Sequence, residues 1–241
     1  MSGDHFYITT PIYYVNGAPH IGHAYTTVAA DAAARWQRLK GRSVLFLTGT
    51  DEHGQKVMEA AQKRGMTPQA HCDDIVPVWK RMMERLGISY DRFIRTTDAD
   101  HEALVTSVLQ SLYEKGDIYK DDYRGWYLVK DEVFVTEKER EERIASGELT
   151  ADAFRMVEES NWFFRMSKYQ EALLAHLDAN PGCIRPENRM NEVRGFLAKP
   201  LGDLCISRPK ARMSWGIELP FDPDYVCYVW FDALLNYLTG A

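Results

Sequence analysis

The chain has 241 residues, 45% hydrophobic and 27% charged, enough to bury a sizeable core and unlike a disordered or fibrous chain. Its 29 Lys and Arg against 35 Asp and Glu leave a net charge of -6, so no global basic field favours non-specific binding to nucleic acid and any contact with RNA must be local. The 4 cysteines (Cys72, Cys183, Cys205, Cys227) form no C-x-x-C pair, which argues against a zinc knuckle or disulfide framework and for a reducing, cytoplasmic setting; Met1–Ile8 is too short and polar for a signal peptide, and no apolar run is long enough to span a bilayer.

In chain order, Phe6–Thr10 is aromatic and β-branched, then broken by Pro11 and by Asn16-Gly17-Ala18-Pro19, which predicts a strand and a loop. Tyr25, Val28, Ala29, Ala32, Trp36 and Leu39 recur at helical spacing up to Gly41. Ser43–Thr48 is apolar enough for a buried parallel strand, and Gly54–Lys63 predicts a second helix. A further helix falls within Pro68–Leu86, a short strand at Arg92–Arg95, and a helix from Thr97, with Asp100 three residues on, to Gly116. This βαβα pattern predicts an α/β fold with a doubly wound parallel sheet.

From Ile118 the texture changes to short β-like runs carrying Tyr119, Tyr123, Trp126, Tyr127, Val129, Val133 and Phe134, followed by a charged stretch that opens with the capping box Thr136–Glu139. An inserted subdomain is expected here, returning through Asn161–Arg165, an amphipathic helix over Tyr169–Leu177 and a Pro- and Gly-punctuated region from Pro181 to Pro223. Tyr225–Trp230 then predicts a strand and Phe231–Leu238 a helix.

Three segments carry the chemistry. Pro19-His20-Ile21-Gly22-His23 sits at a strand–loop–helix junction, where free N–H groups and the helix dipole attract an anion; His20 and His23, three apart, share a face and can both reach a polyphosphate, and Gly22 lets a flat base approach the backbone. The bland alternative is a capped helix with two surface histidines. Asp51, in Gly49–Gly54, follows the second strand, where open α/β sheets bind their ligands; it suits an ammonium group or a ribose hydroxyl, unless Asp51 or Glu52 only caps the next helix. In Tyr228–Tyr237, Trp230 and Tyr237 can wall an apolar pocket, although such a pair is more often core.

Together these segments resemble the class I aminoacyl-tRNA synthetases, and within them the methionyl-tRNA synthetases. His20-Ile21-Gly22-His23 matches the HIGH signature, and Thr10–Gly17, Leu47–Gly54 and Tyr228–Leu234 narrow the resemblance, with Phe93–Thr97 and Gly116–Tyr119 as further matching phrases. The resemblance implies a Rossmann-like catalytic fold, ATP-dependent activation of methionine and transfer of the methionyl group to the terminal adenosine of tRNA(Met). It implies that His20 and His23 stabilise the triphosphate, that Gly22 lies under adenine, that Asp51 holds the methionine ammonium, and that Ile12, Tyr14, Trp230, Ala233 and Tyr237 shape the thioether pocket. Mg2+ is expected with ATP.

Two departures from the family follow. Tyr127–Glu132 stands where many members have C-x-x-C pairs, so no structural zinc is expected, and a small helical structure over Thr136–Ser160 is expected in place of the knuckle. The resemblance implies that the lysine-bearing KMSKS loop and the anticodon-binding domain would come after the third segment, and they are expected beyond Ala241; Arg165–Tyr169 resembles the former only by coincidence. The expected divisions are 1–117, the first half of the catalytic domain; 118–217, the connective insertion; and 218–241, the start of the second half. A C-terminal half is thus an expected partner, without which the isolated chain is expected to be inactive. The alternatives are another HIGH-type nucleotidyltransferase, which the long aromatic insertion disfavours, and a non-catalytic scaffold half of a split synthetase.

Overall fold

Four parallel strands organise the N-terminal part of the chain. In the computed structural model, which describes residues 5–128 and 133–241, β1 (His5–Thr9) and β2 (Tyr13–Tyr14) both pair with β3 (Ser43–Asp51), as does β4 (Arg92–Arg95). The register runs from His5–Ser43 to Thr9–Leu47, then Tyr13–Thr50 and Tyr14–Asp51, with Leu47–Arg92 to Thr50–Arg95 completing the sheet. β3 is flanked on both edges, and Phe46–Asp51 are all buried, which explains a run too apolar to alternate. Helices α1 (Ile21–Leu39), α2 (Gln55–Lys63), α3 (Pro68–Arg85) and α4 (Ala99–Glu114) follow in the expected α/β alternation.

The core beside the sheet consists of Tyr13, Val15, Val57, Cys72, Val76, Trp79 and Met83. Within it burial, and then the charge of Glu52, push the Cys72 thiol up to about 12, so this sulfur stays protonated and inert. Thr97 does not start α4 as the sequence predicted. Its hydroxyl donates to Glu52 Oε2 at 2.7 Å, and the helix begins at Ala99.

The chain divides into two compact units, Met1–Leu112 with Arg208–Ala241, and Tyr113–Ser207. In the first, β10 (Glu218–Leu219) and β11 (Asp222–Cys227) pair antiparallel, and β9 (Ser207–Pro209), which enters this unit at Arg208, makes a three-stranded sheet with β11 central. The strand predicted at Tyr225–Trp230 is thus shifted towards the N-terminus and does not join the parallel sheet. It leads into α8 (Val229–Leu234) and α9 (Asn236–Thr239), two short helices where one was expected.

In the second unit β5 (Ile118–Leu128) and β7 (Phe154–Phe164) pair antiparallel along their full length, flanked by β6 (Val133–Val135) and β8 (Leu204–Cys205). Thr136 and Glu139 cap α5 (Glu137–Ala145) reciprocally, but Phe154–Ser160 is strand, so the helical replacement covers only the first part of the stretch predicted for it. Val129–Glu132, in the segment expected to lack a knuckle, lies outside the described residues. Besides α6 (Gln170–Ala179), the punctuated region holds a helix the sequence analysis left out, α7 (Glu187–Leu197), which buries Met190 and Leu197 against Leu177 and Leu201. Arg165–Tyr169 is tied down inside this unit: Lys168 donates to Asp117 at 2.6 Å and Ser167 Oγ to Asp203 at 2.6 Å. No described helix is long and apolar enough to cross a membrane.

Candidate active site

Both motif histidines are held by the helix they open. His20 is the N-cap of α1: its Nδ1 accepts the Gly22 N–H at 3.1 Å, while His23 Nδ1 accepts the His20 N–H at 3.1 Å. This is a capping box built from imidazoles, so the capping role weighed against catalysis is physically present. Capping also fixes the chemistry. A nitrogen that accepts a backbone N–H carries no proton, which leaves the ring proton on Nε2 of each histidine as a donor with no partner among the described residues.

The rings stack at 3.7 Å between centroids, and no acidic residue stands in the first turn, so the positive end of the dipole is left for an anion. Burial, and then the neighbouring His20, lower the His23 pKa. His23 leans on Tyr13 at 5.0 Å and Trp79 at 4.7 Å, and these two stack at 5.0 Å, so the core of α3 fixes its position. A Cβ on Gly22 would sit 3.0 Å from His20 Cε1, so glycine there makes room for the capping ring as well as for any ligand. Beside His20 lies a depression of about 450 Å³ bordered by Arg81 and Arg85, which adds positive charge.

The other cluster forms at the carboxyl end of β3. Asp51, 3% exposed, is in register with Tyr14, whose ring meets Trp230 edge-on at 6.2 Å, and Lys56 Nζ lies 5.8 Å from the Tyr14 centroid. Trp230 stands in the first turn of α8, not at a strand end, and remains 46% exposed, with Ala233 buried one turn later. Tyr237 sits in α9, where its carbonyl accepts the Tyr7 hydroxyl at 2.8 Å. Ile12 is half-buried in the link between β1 and β2. The dipeptide Tyr13–Tyr14 touches both clusters: Tyr13 packs on His23, while the adjacent Tyr14 is in register with Asp51 and meets Trp230.

Neither Asp51 nor Glu52 caps α2. The N-cap is Gly54, at φ 97°, a conformation that favours glycine, and no side chain bonds there. Glu52, fully buried, accepts Arg95 Nε and Nη2 at 2.8 Å each, Thr50 Oγ1 at 2.6 Å and Thr97 Oγ1 at 2.7 Å. His53, two residues beyond Asp51, bonds Asp232 through its Nδ1 at 2.6 Å. Sequence reasoning passed over Tyr13, Trp79, Arg95, His101 and Asp232; Trp79 was findable only as an aromatic on the apolar face of α3. Among the described residues no three His, Cys, Asp or Glu groups converge as a metal site.

A parallel sheet whose first helix opens on the two motif histidines, with the buried Asp51 at the end of β3, is the arrangement that the resemblance to class I synthetases implies. The family model described as tRNA synthetases class I (M) matches residues 6–148 and 144–241. The chain is 49% identical over 239 residues to the methionine–tRNA ligase of Thermosynechococcus vestitus, covering 98% of this chain and 44% of that protein. With the methionine–tRNA ligase of Deinococcus radiodurans it shares 52% identity over 240 residues, covering 97% of this chain and 35% of the relative. The solved Mycobacterium tuberculosis methionyl-tRNA synthetase in complex with methionyl-adenylate superposes with a TM-score of 0.89 at 46% identity, over 99% of this chain and 47% of that one. The chain therefore belongs to the class I tRNA synthetase (M) family, and it spans less than half the length of these relatives.

Proposed function

We propose that the chain carries the amino-acid-activation site of a methionine–tRNA ligase. The methionine carboxylate attacks the α-phosphate of ATP, pyrophosphate leaves, and the longer protein passes the methionyl group from the adenylate to the terminal adenosine of tRNA(Met). The observation that carries this reading is the joining of the capped histidines to the Tyr14–Asp51–Trp230 cluster through Tyr13–Tyr14. The Nε2–H groups of His20 and His23, at a helix N-terminus free of acidic residues, suit the charge that develops on the phosphates, with adenine over Gly22. An ammonium group beside the buried Asp51 gains a charge-assisted hydrogen bond in a low dielectric. Tyr14 and Trp230, with Ile12, Ala233 and Tyr237 nearby in the chain, offer aromatic surface to a polarisable thioether.

In the same reading the unit Tyr113–Ser207 is the connective insertion, and the C-terminal half of the longer protein supplies the lysine-bearing loop and the tRNA contacts. Mg2+ accompanies ATP on ligands from phosphate oxygens and water. A cytoplasmic location is supported by the 4 free cysteines. The test is calorimetric titration of the full-length protein with methionine beside leucine, isoleucine and norleucine. Selective methionine binding that Asp51→Asn abolishes without unfolding supports the assignment, and unchanged affinity in that variant contradicts it.

A further inference from the structure

The activation chemistry leaves one buried carboxylate unused. Asp232 is fully buried, and its two oxygens meet two imidazoles, Oδ2 at 2.6 Å from His53 Nδ1 and Oδ1 at 2.7 Å from His101 Nε2; those side chains are 3% and 0% exposed. Burial by itself would raise the Asp232 carboxyl, but the hydrogen bonds from His101 and His53, with their charge interactions, hold it below the ordinary carboxylate range, so it accepts from both rings. His101 Nδ1 continues to Thr239 Oγ1 at 2.9 Å, and the edge of the His53 ring packs on Trp215 at 5.3 Å.

Three segments meet on this carboxylate. One is the turn after β3, where His53 stands two residues beyond Asp51; another is the first turn of α4; the third is α8, where Asp232 lies between Trp230 and Ala233. A buried carboxylate between imidazoles is costly unless every bond is made, and an apolar trio could fill the same space, so what the arrangement supplies is fixed geometry.

We propose that Asp232 is a positioning residue: clamped by His53 and His101, it fixes α8 against the end of β3, so that Trp230 and Ala233 keep their placement relative to Asp51, and it thereby sets selectivity for the methionine side chain. This rests on reading the Tyr14–Asp51–Trp230 cluster as a methionine site. Asp232 acts through its neighbours, so its loss alters recognition of the amino acid and leaves the histidine-capped end of α1 unchanged.

The experiment uses the full-length protein and methionine-dependent ATP–pyrophosphate exchange, with Asp232→Asn, His53→Ala and His53→Asn; the last keeps an N–H where Nδ1 stands. Asp232→Asn and His53→Ala should raise the KM for methionine roughly tenfold to a hundredfold, the scale of small misplacements at a site. They should narrow the kcat/KM preference for methionine over norleucine, keep the KM for ATP within about twofold, and His53→Asn should restore wild-type behaviour. A merely structural role lowers the melting temperature or the fraction of active protein and moves neither KM nor the norleucine ratio. Unmoved values in Asp232→Asn and His53→Ala, with methionine-dependent exchange intact, overturn the proposal alone. If Asp232→Asn does not fold, the same readings on the two His53 variants decide it. A wild-type protein without methionine-dependent exchange overturns the methionine reading and this inference with it.

Discussion

Replacing His20 by Asn and His23 by Gln separates capping from catalysis at the start of α1. Asn is among the best N-cap residues and Gln is a natural partner at the third helical position, so both variants can rebuild the backbone bonds that Nδ1 now accepts at 3.1 Å. Neither can present an imidazole Nε2–H to a phosphate. Complete loss of a cap costs about 0.5–2 kcal/mol. From a typical stability as low as about 5 kcal/mol, even the larger loss leaves roughly 99% of the molecules folded, so the fold accounts for almost none of any change in rate. Losing one donor to developing charge costs about 100- to 1,000-fold in rate. In the full-length protein, single-turnover formation of methionyl-adenylate should fall by that factor in each variant, while the thermal midpoint shifts by only a few degrees. Adenylate formation within about threefold of wild type in His20→Asn would refute the reasoning and leave the imidazoles as caps.

Three further outcomes are expected. Because burial and His20 lower the His23 pKa from 6.5, the folded chain binds fewer protons than the unfolded chain between the lowered value and 6.5; the stability His23 supports is complete above that window and lost as pH falls through the folded value, so thermal melts between about pH 8 and pH 5 should decline less in His23→Gln than in wild type. Arg95→Met strands the fully buried Glu52 without its two guanidinium bonds and should cost about 3–5 kcal/mol in urea unfolding, whereas Arg189→Ala, which removes a pair 62% and 58% exposed, should cost no more than about 0.5 kcal/mol. Chelation with EDTA should leave the thermal midpoint unchanged and elemental analysis should find no stoichiometric zinc; a zinc content near one per chain would overturn the reading of the insertion.

Much of the first unit was legible because its signals are local. The aromatic strand at Phe6, the helical spacing from Tyr25 to Leu39 and the continuous run at Ser43 each report their own burial, and β1, α1 and β3 follow them. The capping box at Thr136 was equally local. Thr97 misled because its hydroxyl, a good cap in isolation, is drawn to the buried Glu52. Helix α7 escaped because Pro181, Gly182 and Pro186 precede it and its buried residues, Met190 and Leu197, are too sparse to show a periodic face. β11 opens with Asp222-Pro223-Asp224 and buries only Val226 and Cys227, so the sequence marked only its second half, and its partners β10 and β9 come from the punctuated region, which gave no strand signal.

In the site, the motif residues could be read as three segments, but their joining could not. The edge contact of Tyr14 with Trp230, the three bonds that Arg95 and Thr97 make to Glu52, and the meeting of His53 and His101 on Asp232 connect residues far apart in the chain through side-chain geometry that no spacing rule encodes. The capping role of the histidines was visible only as an alternative to catalysis. In the geometry capping uses Nδ1 of each ring, which leaves Nε2 as the donor that the proposed phosphate contact needs.

The decisive measurement is exchange of labelled pyrophosphate into ATP by the full-length protein, with methionine, leucine, isoleucine or no amino acid present. Saturable exchange that requires methionine, is far weaker with the other two and vanishes in Asp51→Asn is the predicted result. Exchange that is indifferent to the amino acid, or equally strong with leucine or isoleucine, would contradict the assignment of the Tyr14–Asp51–Trp230 cluster to methionine.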